Sequence, residues 1–237
     1  AQDLGFEGLS ALWFSKYDMP VSEFSESVDR VYEDLKPLYE GLQCHVRAEL
    51  NEFYGDEVVP NEGSIPAHVL GNMWAQSWAN VYDLVYQDES TGKSIDLTKV
   101  INDRGLTEVE MVEIAEDFFL SLGFEPLEDT FWERSLFVKP VDRNVVCHAS
   151  AWDINPKTQD LRIKMCIEKN AEDFVTIHHE LGHIFYYQAY AHLPSVFQSG
   201  ANDGFHEAVG DLLSLSITPN YLEEIGFVTK EEADLAK

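Results

Sequence analysis

Basic residues are scarce in this chain. Its 237 residues carry 16 Lys and Arg against 43 Asp and Glu, a formal net charge of −27 at pH 7. Such a surface repels phosphate backbones and anionic headgroups, so no nucleic-acid partner and no membrane contact are expected from this segment. Long apolar runs are lacking too: nothing approaches the ~20 consecutive apolar residues of a membrane span. No Asn-x-Ser/Thr acceptor occurs, which speaks against a glycosylated animal ectodomain. No signal peptide is visible at Ala1, and there is no internal repeat or low-complexity segment. Cysteine is sparse and odd in number, at three. What remains is 45% hydrophobic and 12% aromatic, ample for a packed core and too apolar for disorder.

The richest stretch runs from Phe174 to Leu215. It contains His179-Glu180-Leu181-Gly182-His183, an H-E-x-x-H pattern. Two histidines four apart on a helix sit one turn apart on the same face, so both rings can turn a nitrogen to one point. Zinc accepts neutral imidazole at about 2.0–2.1 Å. Glu180, one residue on, is rotated off that face and can serve as general base toward a water at the metal. A catalytic zinc needs a third protein ligand. Downstream, Gly204 to Asp211 reads as a second helix, with Glu207 and Asp211 on one face. Glu207 is assigned as the third ligand. Asp211 is then placed to accept the spare ring N–H of His179, which fixes its tautomer and orientation.

The rest of the chain reads as mostly helical. Short pieces end at Pro20, and a long helix follows from Ser22 to about Tyr54, with a kink expected near 34–36 because of Pro37. Pro66 opens another helix to about Val85, and 87–95 form a polar loop. Thr107 and Glu110 form a capping box for a helix reaching about Leu122, with Met111, Ile114, Ala115, Phe118 and Leu122 toward the core and Gly123 as its stop. Two strand-like runs, 144–151 and 160–168, joined by Asp153-Ile154-Asn155-Pro156-Lys157, form a hairpin. It places Cys147 and Cys166 close enough to bridge, though two reduced buried thiols fit as well; Cys44 reads as a packing residue on the long helix. The metal-site helices are expected over 171–191 and 203–217, a short one over Pro219–Ile225, and a polar tail after it. One domain is the simplest organisation.

Taken together, His178–His183, Gly200-Ala201-Asn202, Gly204–Asp211, Ile65–Trp78 (IPAHVLGNMWAQSW) and Val146–Asp153 (VCHASAWD) resemble the angiotensin-converting enzyme family of zinc dipeptidyl carboxypeptidases. The likeness covers nearly the whole chain. It implies a mainly α, zincin-like (gluzincin) helical peptidase with a small antiparallel β-hairpin beside the active-site helices. The span 1–237 would be a single, partial domain, with N- and C-terminal parts of the peptidase domain outside it. It implies one Zn2+ held by His179, His183 and Glu207, Glu180 as base, and a Cys147–Cys166 disulfide with export to an extracellular or periplasmic space. It also implies an oligopeptide substrate with a free C-terminus, from which dipeptides are released. Gln76 would help hold the terminal carboxylate through its amide, and His148 and Ala149, on the first hairpin strand, would pair with the peptide backbone. The family's chloride ligands and its cationic and tyrosine carboxylate-binding groups lie beyond this chain. One departure stands out: the family usually has Gln two residues after the second histidine, where this chain has Phe185, which removes a polar support for His183. The rival readings are another gluzincin oligopeptidase or carboxypeptidase, and a non-catalytic peptide-binding module. Ile65–Trp78 and Val146–Asp153 argue against the former, and the intact Glu180 and ligand set against the latter.

Overall fold

The computed structural model describes residues 1–71, 75, 78–86, 95–202 and 204–236. The chain forms two compact units, Ala1–Thr91 and Gly92–Lys237.

The first unit is built on helices α1 (Leu9–Trp13), α2 (Val21–Tyr54) and α3 (Tyr82–Val85). Pro37 lies inside α2 without ending it. The apolar residues Phe24, Val28, Val31, Leu35, Leu38 and Leu42 follow the helical repeat yet are exposed; burial on α2 begins at Val46 and Leu50. These two pack with Val59, Val69 and Val81 in a small core. The helix expected from Pro66 to Val85 is not a single helix. Single-turn 3-10 segments, Ala67–Val69 and Ala79–Val81, precede α3, and Ala75 has φ 54, outside the right-handed helical region. Gln76 lies outside the described residues.

The second unit holds α4 (Leu97–Arg104), α5 (Glu108–Ser121), α6 (Asp129–Arg134), strands β1 (Ser150–Asn155) and β2 (Asp160–Lys164), then α7 (Ala171–Tyr190), α8 (Phe205–Ser214), α9 (Pro219–Glu224) and α10 (Lys230–Leu235). The architecture is mainly α with one small antiparallel sheet, as the resemblance implies. Local chemistry explains the boundaries. Thr107 and Glu110 form the reciprocal capping box that starts α5. Gly123 at φ 93 follows its end. Leu122 is exposed rather than core-facing, while Met111 and Ala115 are fully buried. Asn170 caps α7 by accepting from the Asp173 N–H at 2.7 Å, and Glu172 and Asp173 sit where the helix dipole favours negative charge. The 229–237 tail is not merely polar: Thr229 and Glu232 make a second capping box for α10.

The hairpin is shorter and later than its sequence suggests. Ser150 pairs with Lys164, Trp152 with Arg162, and the register shifts between Asp153 and Asn155. His148 and Ala149 therefore lie just before β1, not on it. The shift follows from the turn: Asn155-Pro156-Lys157-Thr158 makes the reversal, closed by a Thr158 N–H to Asn155 carbonyl bond, so pairing extends right up to it. Cys147 and Cys166 flank the paired segment and are joined by a disulfide, with Cα atoms 5.0 Å apart.

The core of this unit surrounds α7. Phe174, Ile177, Leu181, Ile184 and Phe185 are fully buried. Phe185 stacks on Phe119 of α5 with ring centroids 4.4 Å apart. An amide at this position would need a partner that this apolar environment does not offer.

Candidate metal centre

Helices α7 and α8 approach closely because both carry glycine at the crossing. A Cβ on Gly182 would come within 2.8 Å of the Gly210 Cα, and one on Gly210 within 2.9 Å of His179 Nδ1. Without side chains there, the acidic face of α8 lies directly against the histidine face of α7.

The crossing brings His179, His183 and Glu207 together, with one ligand-type atom from each lying within 4.8 Å of the others. His179 Nε2 and His183 Nε2 are 3.1 Å apart. The Glu207 carboxylate lies 3.3 Å from His179 Nε2 through Oε2 and 3.6 Å from His183 Nε2 through Oε1. Four ligands at zinc-like distances on a tetrahedron are separated by about 3.4 Å, so these three edges fit that geometry. The outer ring nitrogens explain why the inner ones are bare. His179 Nδ1 donates to Asp211 Oδ1 at 3.0 Å, and His183 Nδ1 lies 3.2 Å from His206 Nδ1. With a proton on each outer nitrogen, two lone pairs and a carboxylate would converge on one point, a donor set that suits a cation. Burial pushes the His183 imidazole below its ordinary value, which keeps it neutral and able to donate its lone pair.

Glu180 points elsewhere. It is buried, and its Oε2 has no hydrogen-bond partner among the described residues. Burial raises its pKa, partly offset by His179. A carboxylate oxygen left without a partner in a cleft is free to take a proton. Two pockets lie here, sharing His148, Ala149, His179 and Glu180 in their walls. One, of about 290 Å³, adds Ser150, Ala151, Tyr187 and Glu207; the other, of about 490 Å³, adds the disulfide, Asp173, Thr176 and Asp211. His148 and Ala149 thus line the space beside the carboxylate, with the His148 Nδ1–H donating to the Ala149 carbonyl at 2.7 Å. Next to the ligands, His178 is buried among Phe174, Phe118 and Tyr221. Burial lowers its pKa to about 4, and its Nδ1–H donates to the Phe174 carbonyl at 2.8 Å, so it is a neutral packing group.

Sequence reasoning missed His206. It stands one residue before Glu207 and contacts His183, and nothing in the spacing marks it, because i and i+1 on a helix diverge by 100°. The glycine crossing was missed as well; its only trace is a small residue at the centre of each helical segment.

Comparison with known proteins gives the family. The model of the family described as angiotensin-converting enzyme matches residues 1–237. The chain is 47% identical over 228 residues to angiotensin-converting enzyme of Bos taurus, covering 95% of this chain and 17% of that protein. It is 44% identical over 225 residues to that of Haematobia irritans exigua, covering 94% of this chain and 36% of the relative. That of Theromyzon tessulatum is 41% identical over 225 residues, with the same two coverages. The chain thus spans between about a sixth and just over a third of the length of these relatives. With a family model matched from its first residue to its last, this chain belongs to the angiotensin-converting enzyme family of peptidases.

Proposed function

We propose that this chain carries the metal centre of a zinc metallopeptidase that releases dipeptides from the free C-terminus of oligopeptides. The observation that carries the reading is the convergence of His179 Nε2, His183 Nε2 and the Glu207 carboxylate at 3.1, 3.3 and 3.6 Å. Beside it lies the Glu180 oxygen, which has no partner among the described residues. His179, His183 and Glu207 would hold the ion. Zinc supplies Lewis acidity toward a scissile carbonyl and lowers the pKa of a water. Glu180 Oε2 takes a proton from the attacking water and passes it to the leaving amine nitrogen as the C–N bond breaks. Asp211 holds His179 with its Nε2 toward the ion. His148 and Ala149 border the cleft just before β1, whose edge away from β2 has no strand partner among the described residues, so that an extended peptide can add there; Gln76 is assigned to the terminal carboxylate on the family likeness alone. The disulfide fits an oxidising compartment, and we place the protein outside the cytoplasm on that ground. A chloride requirement is left to the same family likeness.

The test is metal and product analysis together. Wild-type protein should bind one zinc per chain, and Glu207→Gln should lose it by orders of magnitude. Because the carboxylate-binding groups that the family likeness implies lie outside this segment, cleavage is read on the longest chain that carries it: a short peptide with a free C-terminus should yield dipeptides, and the same peptide amidated should resist. Single amino acids would indicate a different carboxypeptidase, cleavage of the blocked peptide an oligopeptidase, and no cleavage by that longer chain a binding module. Full zinc occupancy in Glu207→Gln would overturn the ligand set.

A further inference from the structure

The two histidines of the centre are supported in different ways. His179 leans on a carboxylate, Asp211. His183 leans on a neutral ring, His206. The second support continues outward: His206 Nε2 lies 3.0 Å from the Tyr190 hydroxyl. Tyr190 is buried, and His206 is half-buried, its ring held between Tyr186 and Tyr187 with centroids 4.6 Å away on each. The residue two after His183, where a polar support was expected to be lost, is Phe185, and it faces the core.

Resting on the metal-site reading above, we propose that His206, backed by Tyr190, is the positioning residue for His183. It sets the tautomer that aims the His183 Nε2 lone pair at the ion. One arrangement of protons links these side chains, with the His206 backbone as a further partner for the His183 ring. In it, Nε2 of His183 is bare and its Nδ1 carries the proton and donates it to His206 Nδ1. A neutral His206 that accepts on Nδ1 carries its own proton on Nε2 and donates it to the Tyr190 oxygen. The ring nitrogens of His183 and His206 are then each used once, in one direction, starting from the bond the ligand needs. The alternative tautomer of His183 would put N–H on Nε2, 3.1 Å from His179 Nε2, and close the site to a cation. The Tyr186 and Tyr187 rings pack against the His206 ring and restrict its movement.

The experiment compares two substitutions at one position. His206→Asn keeps an acceptor oxygen where Nδ1 lies; His206→Phe keeps the ring and loses the acceptor. Zinc affinity is read by competition with a chromophoric chelator, and the His183 ring N–H by its downfield proton resonance in the zinc-loaded protein. The Phe variant should bind zinc about 10–100-fold more weakly and lose that resonance; the Asn variant should stay within about threefold of wild type and keep it. Tyr190→Phe removes the final acceptor and should weaken binding by a smaller factor, and it carries the test if His206→Phe does not fold. Equal losses in the Asn and Phe variants would reduce His206 to a space-filling role and overturn the inference. So would wild-type affinity in the Phe variant. Glu207→Gln is the control that separates the two readings. If it abolishes zinc binding while the His206 and Tyr190 variants bind normally, the metal site stands and the positioning role falls. If wild-type protein itself holds no zinc, both fall.

Discussion

Replacing Gly210 by Ala tests whether the α7–α8 crossing is what builds the centre. The added Cβ would lie 2.9 Å from His179 Nδ1, 3.0 Å from its Cε1 and 3.0 Å from its carbonyl oxygen. Ordinary carbon contacts begin near 3.5 Å, so about half an ångström must be found. It can come from the His179 ring, which would break its 3.0 Å bond to Asp211. It can come instead from α8, which would carry Glu207 away from both histidines. Either movement injures the donor set. The effect on stability is smaller than the effect on the site. Overpacking costs about 1–3 kcal/mol, and exchanging Gly for Ala inside a helix returns about 1 kcal/mol. The net cost is therefore about 0–2 kcal/mol, while zinc affinity should fall about tenfold or more, as when a ligand loses its supporting bond. The control is Gly41→Ala in the middle of α2, where a Cβ meets nothing within 4 Å; it should stabilise by up to about 1 kcal/mol and leave zinc affinity unchanged. The assays are thermal denaturation of metal-free protein and chelator competition. Gly210→Ala that binds zinc as wild type does would show that the close crossing is not needed.

Glu180→Gln should keep zinc and lose about 10²–10⁴-fold in kcat on a peptide substrate, because the amide keeps the shape and cannot take the proton; near-normal kcat would make Glu180 a bystander. The Cys147–Cys166 bridge closes a loop with a sequence separation of 19, which in the chain-entropy account corresponds to about 3 kcal/mol; double replacement by Ser should lower the unfolding free energy by that order in denaturant titration, and an unchanged midpoint would refute it. Asp160 is held at about 2 by Arg162 and Arg134, below its ordinary 3.8. A depressed carboxylate stabilises above its unfolded pKa, and that contribution fades as pH falls through the window between the two values. The Tm gap between wild type and Asp160→Asn should therefore be present at pH 5 and shrink toward pH 2, and a gap independent of pH would refute the ion-pair account.

Much of the centre was legible because it rests on short-range rules. The i, i+4 spacing of His179 and His183 places them on one face whatever else the chain does, and Thr107 with Glu110 marks a helix start by two local hydrogen bonds. The same rule marks Thr229 and Glu232, and it was passed over. Elsewhere local pattern pointed the wrong way. A proline followed by a helix-like run at 66–85 did not yield one helix, and the apolar spacing from Phe24 to Leu42 traces a face that is exposed. Periodicity states which residues share a face; it does not state what covers that face. The first hairpin strand runs later than expected, and the second ends earlier, because pairing reaches the turn at Asn155 and Pro156. What only the tertiary structure decided is how closely α7 and α8 meet. That distance depends on Gly182 and Gly210 facing each other across 28 residues of sequence. From it follow the Glu207 contacts, the Asp211 bond and the His183–His206–Tyr190 chain. A contact between distant residues leaves no period in the sequence, since each partner is placed by its own helix and the pair exists only once the helices pack.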